Sequence, residues 1–267
     1  MGGDSIIYGI GPDFPHLSPY GLYQISSAGG AGTELGPIDG FSGVSAMAIA
    51  PNGMLYASGQ NFLMTEEELL TLNPATGAPT LTILTGVPIE LTANAYAFGP
   101  GGILYAIYGN QSLFTINTST GAATLVGSGV AGSISNEALS FSNNGTLYLS
   151  NGTNLYTVNP NTAATSLVAP LDFDSSFGLS GAPTLMSMSF DPTDGTLYTS
   201  VVGNGSSSLG TINISTGEVT KIGPTVSGLG PLAIEATPEP SSGLLFPAGL
   251  LALVIWRRRV LRSAARI

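Results

Sequence analysis

The feature that most constrains this chain is one phrase of four short apolar runs joined by three turns, spelled out between Asn136 and Val168. It reads Ala138-Leu139-Ser140-Phe141, then Gly145-Thr146-Leu147-Tyr148-Leu149, then Asn154-Leu155-Tyr156-Thr157-Val158-Asn159, then Ala164 to Val168. The second run carries an aliphatic-Tyr pair that recurs as Ile7-Tyr8, Leu55-Tyr56, Leu104-Tyr105, Leu147-Tyr148 and Leu197-Tyr198, with tyrosines 48, 49, 43 and 50 residues apart. Upstream of the pair in four copies lies an apolar run: Ala46 to Ala50, Ala95 to Phe98, Ala138 to Phe141 and Met186 to Phe190. Asn52-Gly53, Gly101-Gly102, Asn144-Gly145 and Asp194-Gly195 sit between the two, and these residues supply the positive φ of a tight hairpin turn.

The third run of each copy ends in turns such as Asn73-Pro74-Ala75-Thr76-Gly77, Thr118-Ser119-Thr120-Gly121 and Ile214-Ser215-Thr216-Gly217, and a fourth run follows. Within Leu155 to Asn159, alternation puts Leu155 and Thr157 on one face and Tyr156 and Val158 on the other. Such a small unit cannot bury both faces alone. Stacked radially, each unit covers its neighbours. A four-stranded motif of about 45 residues is the signature of a propeller blade. The competing architecture is a β-sandwich with duplicated hairpins, which does not normally repeat one four-strand phrase. The expected fold is therefore an all-β propeller over residues 1–236.

The blade count follows from the ends. The first copy starts at its second strand, Ile6 to Ile10, and a spare strand, Pro231 to Glu235, follows the fifth copy. Pairing the two closes a ring of five blades and removes two open edges; further residues upstream would raise the count to six or more. Two stretches break the repeat between second and third strands: Gly11 to Tyr20, with His16, and Thr65-Glu66-Glu67-Glu68. Both are expected as loops at one rim, where function is commonly carried.

Charge narrows the function classes. Only 8% of residues are charged, and all five Arg lie in the last eleven residues. Before Pro238, Lys221 alone faces fifteen carboxylates, a formal −14. Such a body repels phosphate backbones and argues against nucleic-acid binding. With no cysteine, disulfides, thiol catalysis and Cys-ligated metals are excluded. Residues 1–5 lack the basic-then-apolar pattern of a secretory signal, so the expectation is a true start upstream of Met1.

After Ala236 the composition changes. Thr237-Pro238-Glu239-Pro240-Ser241-Ser242 reads as an extended linker over 237–242. Gly243 to Trp256 is uncharged and mostly apolar, and Arg257-Arg258-Arg259 ends it. That predicts a short apolar helix over 243–267 with its Arg cluster, shorter than the roughly 20 residues of an ordinary membrane span. The Arg cluster acts as a membrane stop on the cytoplasmic side and places the body outside.

Pro238-Glu239-Pro240, a short apolar helix and a terminal Arg cluster together resemble the PEP-CTERM sorting domain. The resemblance covers about the last thirty residues. It implies an exosortase as processing partner, transient anchoring in an inner membrane, cleavage at or near Pro238 to Pro240, and delivery to the cell surface or matrix, in hosts that often make exopolysaccharide and biofilm. It says nothing of what the body does.

No catalytic constellation is legible. His16 is the single histidine and sits in a Pro-rich loop. Asp13, Asp172, Asp174, Asp191 and Asp194 could supply the two carboxylates of a glycosidase, but no motif ties them to one pocket. Asp191-Pro192-Thr193-Asp194-Gly195 superficially suggests Ca²⁺ ligation; it lacks the further acidic ligands of a calcium loop, and its repeat position equals the hairpin turn Pro51-Asn52-Gly53. Gly99-Pro100-Gly101-Gly102 precedes a strand, so it is no phosphate cradle. Six Asn-X-Ser/Thr triplets, at Asn110, Asn117, Asn144, Asn151, Asn204 and Asn213, fit turn chemistry. The reading is a non-catalytic exported propeller that binds or scaffolds a polysaccharide or a surface protein, with no cofactor. Its alternatives are a propeller enzyme acting on extracellular polysaccharide and a purely structural matrix protein.

Overall fold

A computed structural model describes residues 5–13, 19–61, 67–87, 91–109, 111–131, 137–177, 183–203 and 206–236. The first blade holds β1 (Ser5–Gly11), β2 (Gly21–Ile25) and β3 (Gly32–Pro37). The second holds β4 (Met47–Ile49), β5 (Leu55–Gln60), β6 (Glu67–Leu72) and β7 (Pro79–Ile83). The third holds β8 (Ala93–Phe98), β9 (Leu104–Tyr108), β10 (Ser112–Ile116) and β11 (Ala123–Ser128). The fourth holds β12 (Ala138–Phe141), β13 (Leu147–Ser150), β14 (Asn154–Val158) and β15 (Thr165–Pro170). After the short β16 (Asp172–Phe173) and a 3-10 turn at Ser175–Phe177, the fifth blade holds β17 (Thr184–Phe190), β18 (Leu197–Gly203), β19 (Ser206–Ile212) and β20 (Glu218–Pro224). Each blade is an antiparallel meander.

Ring closure follows the sequence expectation. The last described strand, β21 (Leu232–Ala236), pairs antiparallel with β1, setting Ile7 against Ile234 and Gly9 against Leu232. The inner strands β4, β8, β12, β17 and β21 then touch one another in a closed cycle around the axis. Hydroxyls reinforce that cycle: Ser140 Oγ accepts the Phe190 amide at 3.0 Å, and Ser187 Oγ accepts the Leu232 amide at 2.9 Å.

The core lies between blades. Five clusters of buried side chains correspond to five blade interfaces. The aliphatic-Tyr pair explains itself here. Because neighbours on a strand point to opposite faces, Leu104 packs toward the second blade while Tyr105 packs toward the fourth. The same split holds for Leu147 and Tyr148, and for Ile7 and Tyr8. The tyrosine then meets the last aromatic of the next inner strand. Tyr56–Phe98 and Tyr105–Phe141 lie 5.3 Å apart and Tyr148–Phe190 5.4 Å, all tilted. Such ring pairs add roughly 0.5–1.5 kcal/mol beyond area burial.

The turns between third and fourth strands lock successive blades. Gly77, Gly121 and Gly217 have positive φ. A Cβ on Gly121 would stand 2.0 Å from the Ile83 carbonyl oxygen of the preceding blade, and one on Gly217 would stand 1.9 Å from that of Pro170. Asn117 and Asn213 cap these turns, accepting the amides of Ser119 and Ser215 at 3.0 and 2.9 Å.

Three features depart from expectation. Glu67 and Glu68 are not loop residues: they open β6, pairing with Gln60 and Gly59, because this hairpin runs six residue pairs where those of the first and third blades run five and that of the fourth runs four. The fifth blade carries an extra edge strand, β16, parallel to β20. Bulges recur between third and fourth strands at Leu22/Tyr23, Leu113/Phe114, Leu155/Tyr156 and Leu209/Gly210, bending the outer strand where it follows the disc. His16 and the 237–267 segment, including its expected apolar helix, lie outside the described residues.

Candidate binding site along the propeller axis

Inner strands run from the face carrying the longer connections, the loop face, to the face carrying the tight hairpins, the turn face. Their sequences change character along that path. At the loop end stand Ser45, Asn94 and Glu137. Two residues on come Met47, Tyr96 and Leu139, and at the turn end Ile49, Phe98 and Phe141. The axis inherits this gradient.

At the turn end the channel opens into a cavity of about 550 Å³. Its wall is built from Met47, Ile49, Phe98, Phe141, Met188 and Phe190, with the amides of Asn52 and Asn143 and the carboxylate of Glu235 near the mouth. Glu235 accepts the Tyr8 hydroxyl at 3.4 Å. Its negative charge, together with burial, holds the Tyr8 hydroxyl above its ordinary value, burial being the larger cause. Volume and lining suit a small ligand or the end of a polymer with one apolar face and a few hydroxyls.

At the loop end the channel narrows to a cavity of about 10 Å³ whose lining includes Glu137, and a separate cavity of about 100 Å³ lies off the axis against β5 and β6, its lining including Glu67. Here lie two carboxylates that the sequence reading did not single out as a site. Glu67, 6% exposed, accepts the Ala93 amide at 2.8 Å. Glu137, 1% exposed, accepts a short hydrogen bond from Asn94 Nδ2. Consecutive residues of β8 therefore hold both acids. Burial pushes the Glu67 carboxyl up to about 8, against the opposing amide of Ala93 and the Tyr108 hydroxyl; burial also raises Glu137, against Asn94. The hydroxyls of Tyr96 and Tyr108 stand beside Glu67, and burial holds both well above the phenol range. They lie close enough to perturb Glu67, yet Glu67 Oε2, Glu137 Oε1 and both tyrosine hydroxyls close no well-formed hydrogen bond among the described residues.

The acids considered from sequence do not converge. Asp13 stands beyond β1 toward the loop face. Asp172 and Asp174 lie exposed at the outer edge of the fifth blade, and Asp191 and Asp194 lie in a turn-face hairpin. Asp191 is committed to that hairpin: one oxygen accepts the Thr193 amide at 2.7 Å, the Thr193 hydroxyl at 2.6 Å and the Ser5 hydroxyl at 2.8 Å. Asp194 accepts the Thr196 amide at 2.8 Å. Among the described residues, no three His, Cys, Asp or Glu side chains converge to hold a metal ion. The signal for Glu137 was its place in the aligned repeat, immediately before a buried alanine (Ala46, Ala95, Ala138), where Ser45 and Asn94 are also polar.

The family described as Repeat of unknown function (DUF6923) matches residues 2–166. No curated protein matches the chain. Among solved structures, a symmetrical protein from work on de novo evolutionary emergence under folding constraints is similar, with 17% identity, 86% of this chain and 98% of that one covered and a TM-score of 0.52. TolB from Acinetobacter baumannii is similar at 16% identity and a TM-score of 0.50, with 85% of this chain covered; this chain spans 54% of TolB. The PQQ-bound aldose sugar dehydrogenase from Streptomyces coelicolor matches at 14% identity over 89% of this chain and 87% of that one, with a TM-score of 0.48. At these identities the likeness to the first two is one of fold alone.

Proposed function

We propose a binding role for this chain, which belongs to the family described as Repeat of unknown function (DUF6923). It is an exported, non-catalytic β-propeller that takes a saccharide end of an extracellular polysaccharide into its turn-face cavity. The observation that carries this is the cavity of about 550 Å³ whose wall is aromatic and aliphatic and whose lining includes one carboxylate, Glu235. A glycosidase needs two carboxylates on one pocket. The buried pair Glu67 and Glu137 borders spaces of about 100 and 10 Å³, too small for a sugar ring.

The address comes from the tail. Its resemblance to a PEP-CTERM sorting domain supports export, transient anchoring by the segment that Arg257, Arg258 and Arg259 terminate, and exosortase processing at Pro238-Glu239-Pro240. β21 ends at Ala236 on the rim of the cavity, so that processing leaves the fold whole.

A glycan array followed by calorimetry on the hits tests the binding role, with Ala50→Trp at the half-buried mouth as the blocked form. Binding by the parent chain, weakened at least about tenfold in the variant with an unchanged far-UV spectrum, supports the reading; a tenfold loss corresponds to about 1.4 kcal/mol. Equal binding by both forms moves the site elsewhere. Shortened glycans in the reaction would overturn the non-catalytic assignment. For the address, the chain recovered from the surface of an exosortase-carrying host should lack the tail, and Pro238, Glu239 and Pro240 changed to Ala should retain it in the membrane.

A further inference from the structure

One carboxylate at the mouth of the turn-face cavity stands apart from its equivalents. Each inner strand pairs with the aliphatic residue of an aliphatic-Tyr pair: Ile49 with Leu55, Phe98 with Leu104, Phe141 with Leu147, Phe190 with Leu197 and Ile234 with Ile7. The residue that follows is therefore equivalent in the five blades: Ala50, Gly99, Ser142, Asp191 and Glu235. Two of these are acids, and they are used differently. Asp191 is buried and committed to Thr193 and Ser5. Glu235 is half-buried, and among the described residues its side chain accepts one long hydrogen bond, from the Tyr8 hydroxyl to Oε2 at 3.4 Å.

The other oxygen reaches toward the second blade. Oε1 stands 2.7 Å from where a Gly53 Cβ would be, so the carboxylate occupies space that a side chain at 53 would fill. It shares the cavity lining with Met47, Ile49, Phe98, Phe141 and Phe190, which offer carbon, sulfur and ring faces but no cation. Among the described residues the single Lys or Arg is Lys221, which donates to the Ser176 carbonyl at 3.4 Å at the outer edge of the fifth blade. An apolar wall lowers the local dielectric, so the carboxylate pulls on a cation there more strongly than it would in open water. The field of the whole body acts in the same direction. With a formal −14 before Pro238, it gathers cations and repels uronate and sulfated sugars.

Resting on the saccharide reading of this cavity, we propose that the sugar it takes is an amino sugar with a free amine. The C–H face of the ring lies on the aromatic and thioether wall, and the ammonium group donates to Glu235. A neutral sugar meets the same wall but brings a hydroxyl in place of the charge. An N-acetyl group removes the cation, and an acidic sugar is repelled. Glu235 therefore sets which residue of a mixed polymer enters the cavity.

Calorimetry of the full-length chain tests this against tetrasaccharides of one linkage built from glucosamine, N-acetylglucosamine or glucose, at a pH where the amine and Glu235 are both charged. The glucosamine form should bind about tenfold tighter than the other two, the worth of one charge-assisted hydrogen bond, and the gap should narrow as salt is raised. Glu235→Gln keeps an acceptor for the Tyr8 hydroxyl and removes the charge. With an unchanged far-UV spectrum, it should bring the glucosamine form down to the level of the glucose form. Equal binding of all three by the parent chain overturns this inference and leaves the saccharide reading standing. Binding of none of them overturns it too, and with an empty glycan array the saccharide reading falls as well. A glucosamine preference that survives in Glu235→Gln belongs to the acidic surface at large and overturns the assignment to Glu235.

Discussion

Replacing Gly121 by Ala tests whether the third-to-fourth-strand turns hold the disc together. Gly121 and Gly101 both have positive φ, 72° and 81°. Alanine in that left-handed region costs about 1–2 kcal/mol, offset by roughly 0.4–1 kcal/mol from a stiffer unfolded chain. At Gly101, in a hairpin of the turn face with nothing within 4 Å of the new methyl, that is the whole effect, about 1 kcal/mol net. At Gly121 the methyl would stand 2.0 Å from the Ile83 carbonyl oxygen, against 3.4 Å or more for ordinary contact. The turn must retreat by the difference. That retreat breaks the hydrogen bonds from Thr85 N to Gly121 O, 3.0 Å, and from Ala123 N to Thr85 O, 2.8 Å.

Each of those bonds contributes about 1 kcal/mol net. Gly121→Ala should therefore cost about 3 kcal/mol, and Gly101→Ala about 1. For a domain of this size, roughly 2–4 °C of melting temperature corresponds to each kcal/mol. Urea unfolding of the two variants at one pH, read by far-UV circular dichroism, supplies both values. If the two costs agree within about 0.5 kcal/mol, the close approach carries no weight, and the reasoning about blade locking is wrong.

Three further outcomes follow from the same geometry. With the Glu67 carboxyl raised to about 8 in the folded chain, against an ordinary value near 4.5, the folded state binds the extra proton. Its stabilising effect is full below the unfolded value and is lost as pH rises toward 8, by at most about 1.4 kcal/mol per unit. The stability of the parent relative to Glu67→Gln should fall from pH 5 to pH 8 in a urea series; a flat difference contradicts the burial argument. Ala163 has φ 61° at the position of Gly77, Gly121 and Gly217 and is 1% exposed. Ala163→Gly relieves the backbone and removes a buried methyl worth about 0.8 kcal/mol, so its net effect should lie within about 1 kcal/mol of zero. Ending the chain at Ala236 should leave the melting temperature unchanged, whereas ending it at Gly230 removes β21 and should abolish a cooperative transition; a cooperative melt in the shorter chain would show that ring closure is dispensable.

Much of the fold was legible because the repeat acts at two levels. Period-two alternation marked the strands, and the recurrence of Leu-Tyr at fixed spacing marked the blades. The missing first strand and the spare last one, Ile6 to Ile10 and Pro231 to Glu235, settled how the ring closes. The aliphatic-Tyr pair was visible as a marker, but its task was not: that Tyr105 reaches Phe141 of the next blade depends on the angle between blades, which no single copy encodes. The bulges were hidden for the same reason, since Leu155 and Tyr156 read as ordinary alternation. Glu67 was misplaced because three successive glutamates read as a solvated loop. A hairpin longer by one or two residue pairs than those of the first, third and fourth blades carries the second of them toward Ala93 of the third blade, and local composition does not report that extension.

The candidate sites were harder to read because a propeller axis is assembled from one residue per blade. Ser45, Asn94 and Glu137 lie 49 and 43 residues apart and form no motif in the chain. They become a group once the copies are aligned on their inner strands. Aligned in this way, the inner strands also explain why the two ends of the channel differ in chemistry. The inner strands of the third and fourth blades run from Asn94 and Glu137 to Phe98 and Phe141, and those of the others end in Ile49, Phe190 and Ile234, so the axis is polar where Ser45, Asn94 and Glu137 stand and apolar at the turn end. A buried acid at the loop end has β8 amides to hold it, while the turn end has aromatic faces and few charges. Placing a carboxylate at the half-buried Phe141 would remove the ring that meets Tyr105 and set a charge in the apolar wall of the turn-end cavity. The same change at Asn94 would set a third acid against Glu137. The repeat places the two buried acids, Glu67 and Glu137, toward one end of the disc, and a ligand entering from the turn face meets a mostly apolar wall with Glu235 at its mouth.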